Sequence, residues 1–510
     1  MSSGLFLLEE QMGILKAFSK ILKPAEKKEC ADKASPPTAA NIRAVFSGCA
    51  DFTEREIKAG ELTAWVFFID GLTSGETVAR EIIKPLSEHW RLAGATPKTA
   101  PEKLLEGAVF AASANLRETL GETLSDILSG FCAVIFEGSG KAVCFEARSP
   151  EKRSVDAPKE EKVVKGSKDA FVETIRTNTA LVRKKLKNEN LKIVEFTAGS
   201  GSHTGLALIY LDGFTSPQIV AEAAERLSKM EVEGVITAAA VEECLADQPK
   251  TPFPQLLTTE RPDKFCLNLL EGRVGVIADG MPLGFLAPGT FAQFFKVPED
   301  SANHFIVGTA LTALRCAAML LSLLLPALFV AVSMYHQEMI PAKLLQSMIA
   351  AKQSVPFSSP AEVLIMLLSF ELLQEAGLQL PNPVGETVSI IGGLIVGQSA
   401  VEARIVSPVV VIVVALSCVA GYTTPDQDMA SAMRLCRLLL VFAAIAGGVF
   451  GMMTGGALLL YHLCTLESFG VPYMTPFVGT DVREMLRAIV RPPFRHGSLR
   501  EKALKTRHGA

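Results

Sequence analysis

Two glutamates within an apolar stretch are the residues whose type and spacing most directly suggest chemistry. Glu371 and Glu375 lie four positions apart in the run 361–377, so their carboxylates would share one face of a helix. Because an acid inside lipid is costly, both are expected to face protein or water, where they would serve as an ion path or a gate. The alternative is a structural pair of acids at the membrane edge, neutralised by Arg315 or Arg404.

Motifs of known enzymes are missing from the sequence. Gly138-Ser-Gly-Lys141 lacks the first glycine and the final Ser/Thr of a phosphate-binding loop. Gly199-Ser-Gly-Ser-His-Thr-Gly205 does not have dinucleotide-binding spacing and is expected to form a hairpin turn. His336 and Glu338 are two positions apart and do not share a helix face, and the ten cysteines form no CxxC pair. We therefore predict no catalytic residue, no metal and no cofactor.

Charge is distributed very unevenly along the 510 residues. The 154 positions from Ala313 to Leu466 contain 14 charged residues, whereas the other 356 positions contain 90. This segregation predicts a soluble part joined to a part built for lipid, and it excludes a fully soluble enzyme. The net charge of −4 argues against nucleic acid as a partner.

The soluble part contains an internal repeat. Trp65-Val-Phe-Phe-Ile-Asp-Gly-Leu-Thr-Ser resembles Ala207-Leu-Ile-Tyr-Leu-Asp-Gly-Phe-Thr-Ser, and Gly130–Gly138 aligns with Gly272–Gly280 at the same offset. In each copy an apolar strand ends at Asp-Gly, and a Thr-Ser pair is expected to cap a helix, at 76–90 and 217–231. Strands alternating with helices suggest two related α/β subdomains, which would form a cleft, a partner-docking surface or a stacked scaffold.

These patterns predict an α/β soluble region of two related subdomains followed by an α-helical transmembrane bundle. The expected segments are an N-terminal amphipathic segment (1–37), α/β subdomain 1 (38–150), a linker and a helix from Lys168 to Leu186 (151–189), α/β subdomain 2 (190–312), a transmembrane domain (313–466) and a basic cytosolic tail (467–510).

The transmembrane domain is expected to cross the bilayer four times. The expected spans are 313–335, 384–401, 404–422 and 434–464, with 361–377 interfacial or re-entrant. Four spans keep the soluble region and the basic tail on the cytosolic side, as the distribution of Lys and Arg favours. In the last span, Gly447, Gly451 and Gly455 would form one smooth packing face, within one subunit or between subunits.

From Gly166 to Phe477 the chain resembles the A subunits of the GerA-type spore germination receptors, a family that includes the SpoVAF-like proteins. The matching stretches of the soluble part are Asp169-Ala-Phe-Val-Glu-Thr-Ile-Arg-Thr-Asn-Thr-Ala-Leu-Val-Arg-Lys, Thr251-Pro-Phe-Pro-Gln, Thr259-Glu-Arg-Pro-Asp and Leu270-Glu-Gly-Arg-Val. Those of the membrane part include His336-Gln-Glu-Met-Ile-Pro, Ile390-Ile-Gly-Gly-Leu-Ile-Val-Gly-Gln-Ser-Ala-Val-Glu-Ala and Phe469-Gly-Val-Pro-Tyr.

The resemblance implies a subunit of a complex in the inner membrane of a bacterial spore. Such a subunit would form a homo-oligomer in membrane lipid and conduct monovalent cations at germination. Its companions would be a B-type transporter-like subunit, which binds the germinant, and a C-type lipoprotein subunit.

A channel would be lined by the small-residue helix 384–401, with acidic rims that favour cations. Val388, Ile391 and Ile395 are spaced to form an apolar gating ring. The full set of predicted pore-lining residues is Val388, Ser389, Ile391, Gly392, Ile395 and Gln398, and the acidic rim or gate residues are Glu386, Glu402, Glu371 and Glu375.

Three other functions are weighed against a channel. A non-conducting organiser of the germination complex would share the same architecture. A secondary transporter would be expected to show matching broken segments in two membrane halves, and the membrane part shows no such repeat. A membrane-anchored enzyme would need the catalytic motifs that the sequence lacks.

Overall fold

The computed structural model describes residues 33–478, with gaps at 60–61, 89–93, 110–112, 149–157, 159–160, 162, 164 and 380–396. Beyond residue 478 it describes Met485, Val490 and Leu504. Most of the predicted N-terminal amphipathic segment and most of the predicted basic tail lie outside the described residues. The described chain forms two lobes followed by a helical region.

Lobe 1 is a five-stranded sheet with helices on both faces. Its elements are helix α1 (Ala39–Val45), strands β1 (Phe52–Ala59) and β2 (Leu62–Ile69), helix α2 (Gly75–Thr77, continued by Val78–Ile83 and Lys84–Ser87), helix α3 (Ala100–Lys103, continued by Leu104–Ala108), strand β3 (Ala114–Arg117), helix α4 (Leu120–Leu128), and strands β4 (Phe131–Phe136) and β5 (Ala142–Glu146). Every residue of β4 is buried, because apolar clusters cover the sheet from both sides.

Lobe 2 repeats this design. Its elements are helix α5 (Ile175–Lys185), strands β6 (Leu191–Ala198) and β7 (Thr204–Leu211), helices α6 (Pro217–Ser228) and α7 (Ala238–Leu245), strand β8 (Leu257–Thr259), helix α8 (Pro262–Glu271), and strands β9 (Val274–Ala278) and β10 (Gly284–Ala287). The predicted hairpin turn at Gly199–Gly205 is confirmed, since it joins β6 to β7.

Strand order and register confirm the predicted duplication. The order is β1-β2-β4-β5-β3 in lobe 1 and β6-β7-β9-β10-β8 in lobe 2, and each named pair of neighbouring strands is antiparallel. Ala64 pairs with Phe136 in lobe 1, and Leu206 pairs with Ala278 at the same relative positions in lobe 2. The lobes are thus α/β in content and built on antiparallel sheets.

Two local predictions need correction. Ser74 caps α2 by accepting a hydrogen bond from the Thr77 amide, whereas Ser216 makes no side-chain cap at α6 and Pro217 begins that helix instead. The helix expected from Lys168 begins only at Ile175. The residues just before Ile175 are not helical. There the Phe171 amide donates a hydrogen bond to the Glu260 carbonyl of lobe 2.

The helical region follows a short connector that includes helix α9 (Pro298–Ala302). Its elements are helices α10 (Phe305–Tyr335), α11 (Ala342–Lys352), α12 (Ser359–Gln379), α13 (Pro408–Gly421) and α14 (Gln427–Thr465), and then the short strands β11 (Glu467–Ser468) and β12 (Val471–Pro472). Among the described residues, α10 and α14 are long and apolar enough to cross a membrane, and α13 is apolar but shorter. The expected interfacial segment 361–377 is part of the 21-residue helix α12.

Helix α14 is a hairpin rather than the single tilted span expected at 434–464. Gly447 and Gly448 leave helical geometry, and Gly448 has a φ of 58°. A β-carbon on Gly455 would lie 3.1 Å from the Ala443 β-carbon, although a straight helix would separate these residues by about 18 Å. The glycine pair therefore reverses the chain into two arms, 427–446 (α14a) and 449–465 (α14b). The arms measure about 30 Å and 26 Å at the helical rise per residue.

The outer surface of the helical region is apolar. Leu320, Leu324 and Leu328 of α10 are exposed, as are Phe442 and Phe450 on the two arms of α14. Water would disfavour such a continuous apolar surface, which marks a lipid or protein contact. This surface is what the low charge density of 313–466 predicts.

Candidate functional site: a charged cavity among the membrane-part helices

A cavity of 1340 Å³ lies among α10, α12, α13 and α14a. Its lining extends along α13 from Pro408 to Tyr422, a distance of about 21 Å at the helical rise per residue. Most of the lining is apolar. The charged lining residues are Glu371, Glu402, Arg434 and Arg437, and their amide and hydroxyl neighbours include Ser322, Gln374, Gln398 and Ser431.

Glu371 is neutralised by two arginines of α14a. Its Oε1 accepts a hydrogen bond from Arg437 Nη2 at 2.7 Å, and its Oε2 accepts one from Arg434 Nη1 at 3.2 Å. The Arg437 side chain is 4% exposed and also donates to Ser417 Oγ. These contacts correct the expected partners, because Arg315 instead pairs with Asp300 and Arg404 is exposed. Helix α12 is thereby tied to α14a by a three-charge cluster.

Glu375 lies outside the lining of the cavity, and its residue is exposed one turn beyond Glu371 on α12. The two acids predicted as one gate thus occupy different surroundings, although they share a helix.

Part of the predicted pore can be located. Gln398 and Glu402 line the cavity, and Gln398 Nε2 donates to Glu402 Oε1 at 2.8 Å. The other predicted lining and rim residues lie outside the described part of the chain: Glu386, Val388, Ser389, Ile391, Gly392 and Ile395.

Glu362 is a buried acid whose role the sequence did not reveal. Its residue is 0% exposed near the start of α12, and its Oε2 accepts the Ser407 amide at 2.7 Å. Lys352 Nζ lies 4.0 Å from its other carboxylate oxygen and also bonds Ser359 Oγ. Glu362 thus joins the start of α12 to the start of α13. Its position among the apolar residues at the start of α12 was the feature of the sequence that could have indicated this role, since a buried acid needs a partner.

The three glycines predicted as one packing face are divided by the reversal of α14. Gly447 lies in the turn, whereas Gly451 and Gly455 face α14a close to Ala443. A β-carbon at Gly451 would collide with the Ala443 carbonyl oxygen. These two glycines therefore allow the hairpin arms to approach closely within one chain.

The helical region is fastened to lobe 2 at its first and last helices. Arg315 of α10 forms a bidentate pair with Asp300, with both distances 2.6 Å, and also donates to the Phe295 carbonyl. At the end of α14b, His462 Nε2 lies 2.9 Å from Thr251 Oγ1. Two membrane-part helices are thus bonded to lobe 2 and to the connector that follows it.

The segment after α14 is inserted into lobe 2. Ser468 Oγ donates to the Gln255 carbonyl at 2.8 Å, and the Phe291 amide donates to the Tyr473 carbonyl at 2.8 Å. Tyr473 is fully buried, and the Arg226 guanidinium lies over the Phe469 ring. The chain thus leaves lobe 2, forms the helical region and then returns to pack against lobe 2.

Acidic groups meet where lobe 2 faces the start of α14. Burial, together with the nearby carboxylates of Asp428 and Asp426, raises the pKa of Glu242 on α7 to about 7. On lobe 2's other side, a hydrogen bond from Lys185 lowers the pKa of Asp169 below its usual value.

The described residues contain no group of three His, Cys, Asp or Glu side chains arranged to hold a metal ion. The nine described cysteines are free thiols, and burial raises the pKa of the Cys132 thiol well above its ordinary value. The turn residue Asp70 lies 3.7 Å from Arg176 and thus contributes to contact between the lobes. The described charged and polar residues that line the cavity offer charge and hydrogen bonding.

A two-lobed soluble region bonded at several points to long apolar helices is the architecture of a membrane-associated protein. The chain matches the Bacillus/Clostridium GerA spore germination protein family over residues 40–503 and therefore belongs to that family. It is 34% identical to spore germination protein KA of Bacillus subtilis (strain 168), over 90% of this chain and 85% of that protein. It is 32% identical to spore germination protein GerLA of Bacillus cereus, over 89% of this chain and 92% of that protein.

Among solved structures, the chain is similar to the N-terminal domain of the A subunit of the Bacillus megaterium spore germinant receptor GerK3. The identity is 26%, the TM-score is 0.41, and the match covers 51% of this chain and 97% of that domain.

Proposed function

We propose that this protein is a membrane subunit of a spore germinant receptor and oligomerises into a cation channel that opens at germination. Its place is the spore inner membrane, beside a B-type transporter-like subunit and a C-type lipoprotein subunit. Membership in the GerA family supports the receptor role. The observation that carries the channel role is the cavity that extends along α13 and has Gln398 and Glu402 in its lining.

The proposed topology places lobe 2 and both of its attachments on the cytosolic side. Helix α10 leaves lobe 2 at Arg315, and α14b returns to it at His462. The hairpin of α14 makes two crossings, out from this side and back to it, in place of the one expected at 434–464. With α12 as a further crossing the proposed total is six, the even number that two cytosolic attachments require. The apolar outer surface of these helices faces lipid.

The proposed conducting path uses Val388, Ile391 and Ile395 as an apolar gate, with Glu386 and Glu402 as acidic rims. Glu371 is assigned a different role, since two arginines already compensate its charge. It fixes α12 against α14a and thereby shapes the path without contributing a free negative charge.

The gate is tested in spores whose only copy of the protein carries a polar residue at Val388. Val388→Ser should release potassium from dormant spores without germinant, because a polar ring stays wet. Val388→Ile is the matched control and should retain ions. Unchanged potassium retention across polar substitutions at 384–401, with normal protein levels, would refute the pore assignment.

A non-conducting organiser is the second candidate, and it is favoured by the pairing of Glu371 with two arginines, because the cluster has a net positive charge and no free carboxylate at Glu371. An organiser requires complex assembly but no ion path. It predicts that Val388→Ser leaves dormant spores intact, whereas disruption of the lobe 2 attachments prevents receptor assembly.

A further inference from the structure

The far end of the helical region is defined by one contact between α10 and α14. The Tyr335 hydroxyl donates to the Ile445 carbonyl at 2.8 Å, and the Tyr335 ring packs against Gly448 in the hairpin turn. The opposite ends of α10 and α14b contact lobe 2 through Arg315 and His462. Tyr335 and the hairpin turn therefore mark the side opposite lobe 2.

Helix α11 lies at this far end. It begins seven residues after Tyr335, and its last residue, Lys352, is bonded to Ser359 at the start of α12. Its 11 residues span about 17 Å, little more than half of the hydrocarbon thickness. The helix is too short to cross a membrane.

The four large apolar residues of α11 lie on one side of the helix, yet none of its residues is buried. Leu345 and Met348 are half-buried, and Leu344 and Ile349 flank them with 50% and 51% exposure. Ala350 is exposed and lies about 100° or more around the helix axis from both Leu344 and Ile349. An isolated helix of this length is marginal in water, so it needs a surface to lie on.

The exposed apolar surface does not stop at α11. Met339 precedes the helix with 67% exposure, and Phe357 follows it with 42% exposure. This surface continues the apolar outer face of α10, which carries Leu324 and Leu328. One continuous apolar surface that includes helices long enough to span a bilayer is most simply covered by the same lipid.

We propose that α11 lies in the membrane interface of the leaflet opposite lobe 2, with Leu344 and Ile349 among the lipid chains near the headgroups. This inference rests on the proposed insertion of the helical region into the membrane. Lys343 at the start of the helix is exposed and is placed to meet anionic headgroups, as is usual for interfacial helices, whereas Lys352 at its end is held by Ser359 and Glu362. The helix would thereby fix the depth of the far end of the bundle.

The test uses tryptophan as a depth probe in the full-length protein. Trp65 and Trp90 are replaced by Phe, and single tryptophans are introduced as Leu344→Trp, Ile349→Trp and, as the matched control on the other side of the helix, Ala350→Trp. The proteins are reconstituted in vesicles of phosphatidylcholine and phosphatidylglycerol. Their lipids carry bromine either near the top of the acyl chains or near the bilayer centre.

Leu344→Trp and Ile349→Trp should be quenched at least twofold more than Ala350→Trp, and more strongly by the shallow bromines. Equal quenching at all three positions, stronger quenching by the deep bromines, or no quenching at 344 and 349 would overturn the proposal. The last result would mean that protein covers this face. If either variant fails to give a monodisperse protein, Met339→Trp replaces it, and the same outcomes apply.

Leu324→Trp separates this proposal from that of membrane insertion. Leu324 lies 11 residues before Tyr335 in α10, about 16 Å deeper at the helical rise per residue. Quenching there by deep bromines supports insertion whatever happens at α11. An unquenched Leu324→Trp would instead contradict the insertion of the bundle.

Discussion

The guanidinium of Arg183 and the carboxylate of Asp51 form a bidentate ion pair that is buried between the two lobes. The distances are 2.7 Å from Nε to Oδ2 and 2.9 Å from Nη2 to Oδ1, and the side chains are 0% and 1% exposed. Beside the pair, the Ala50 amide donates to the Ile193 carbonyl at 2.8 Å. Helix α5, which carries Arg183, thus holds lobe 1 against lobe 2.

Removal of one member of this pair should destabilise the protein strongly. Asp51→Ala leaves an uncompensated buried guanidinium and is expected to cost about 3–5 kcal/mol. Thermal unfolding in detergent measures the loss. The double replacement Asp51→Leu with Arg183→Met should recover most of it, because no buried charge remains. Equal loss in the single and double variants would contradict a role specific to the charge pair.

Replacement of Glu371 should affect stability more than replacement of Glu375. Glu371→Gln leaves Arg434 and Arg437 without their carboxylate and is expected to cost about 2–4 kcal/mol. Glu375→Gln alters an exposed residue one turn away and should cost less than Glu371→Gln, because solvent screens the interactions of exposed charges. Similar midpoints of thermal unfolding for the two variants would show that the arginine cluster contributes little.

The glycine turn in α14 should not tolerate a side chain. In Gly448→Ala a β-carbon would lie 2.9 Å from the Tyr335 ring, at a residue whose φ is 58°. Strain and the displaced ring are expected to cost about 2–3 kcal/mol. Gly456→Ala is the control, since a β-carbon there has no atom within 4 Å. If α14 were instead a straight helix, both substitutions would be expected to stabilise the protein slightly.

The half-buried position of Glu242 near the charges of Asp426 and Asp428 should make stability depend on pH. The pKa of Glu242 is about 7 in the folded protein, above the ordinary value of 4.5. The folded state therefore disfavours ionisation of Glu242. The stability that the protonated carboxyl contributes is lost as pH rises from about 4.5 through 7. Glu242→Gln should raise the unfolding temperature at pH 8 and leave it nearly unchanged at pH 4.5.

Glu243, the exposed neighbour of Glu242, supplies the control for this pH effect. Glu243→Gln should change neither unfolding temperature appreciably, because Glu243 is exposed. A gain at pH 8 that is the same for both variants would indicate a general charge effect rather than the buried position of Glu242.

The sequence predicted the soluble lobes well because their signals are local and repeated. Each Asp-Gly turn and each apolar strand occurs twice, so the duplication of the sheet could be read before the structure. The antiparallel pairing of strands such as β7 and β9 could not be read from the sequence, because several elements separate them along the chain. The buried Asp51–Arg183 pair was missed for the same reason, since 132 positions separate its members.

Prediction was weaker in the membrane part, where hydropathy alone carries little information about the path of the chain. The run 434–464 has the length of one tilted span, and only the conformation of Gly447 and Gly448 reveals two arms. The arginine partners of Glu371 follow from the packing of α12 on α14a. The acid itself was recognisable, because a charge in an apolar helix needs compensation.

The central claim, that this chain conducts cations, is tested most directly by current through planar bilayers that contain the purified, oligomeric protein. Under a gradient of potassium chloride, Val388→Ser should give a steady current whose reversal potential lies near that of potassium. Glu402→Gln added to Val388→Ser should shift that potential toward zero, since an acidic rim is lost. The absence of current from an intact inserted oligomer of Val388→Ser, or a reversal potential near that of chloride, would contradict the account.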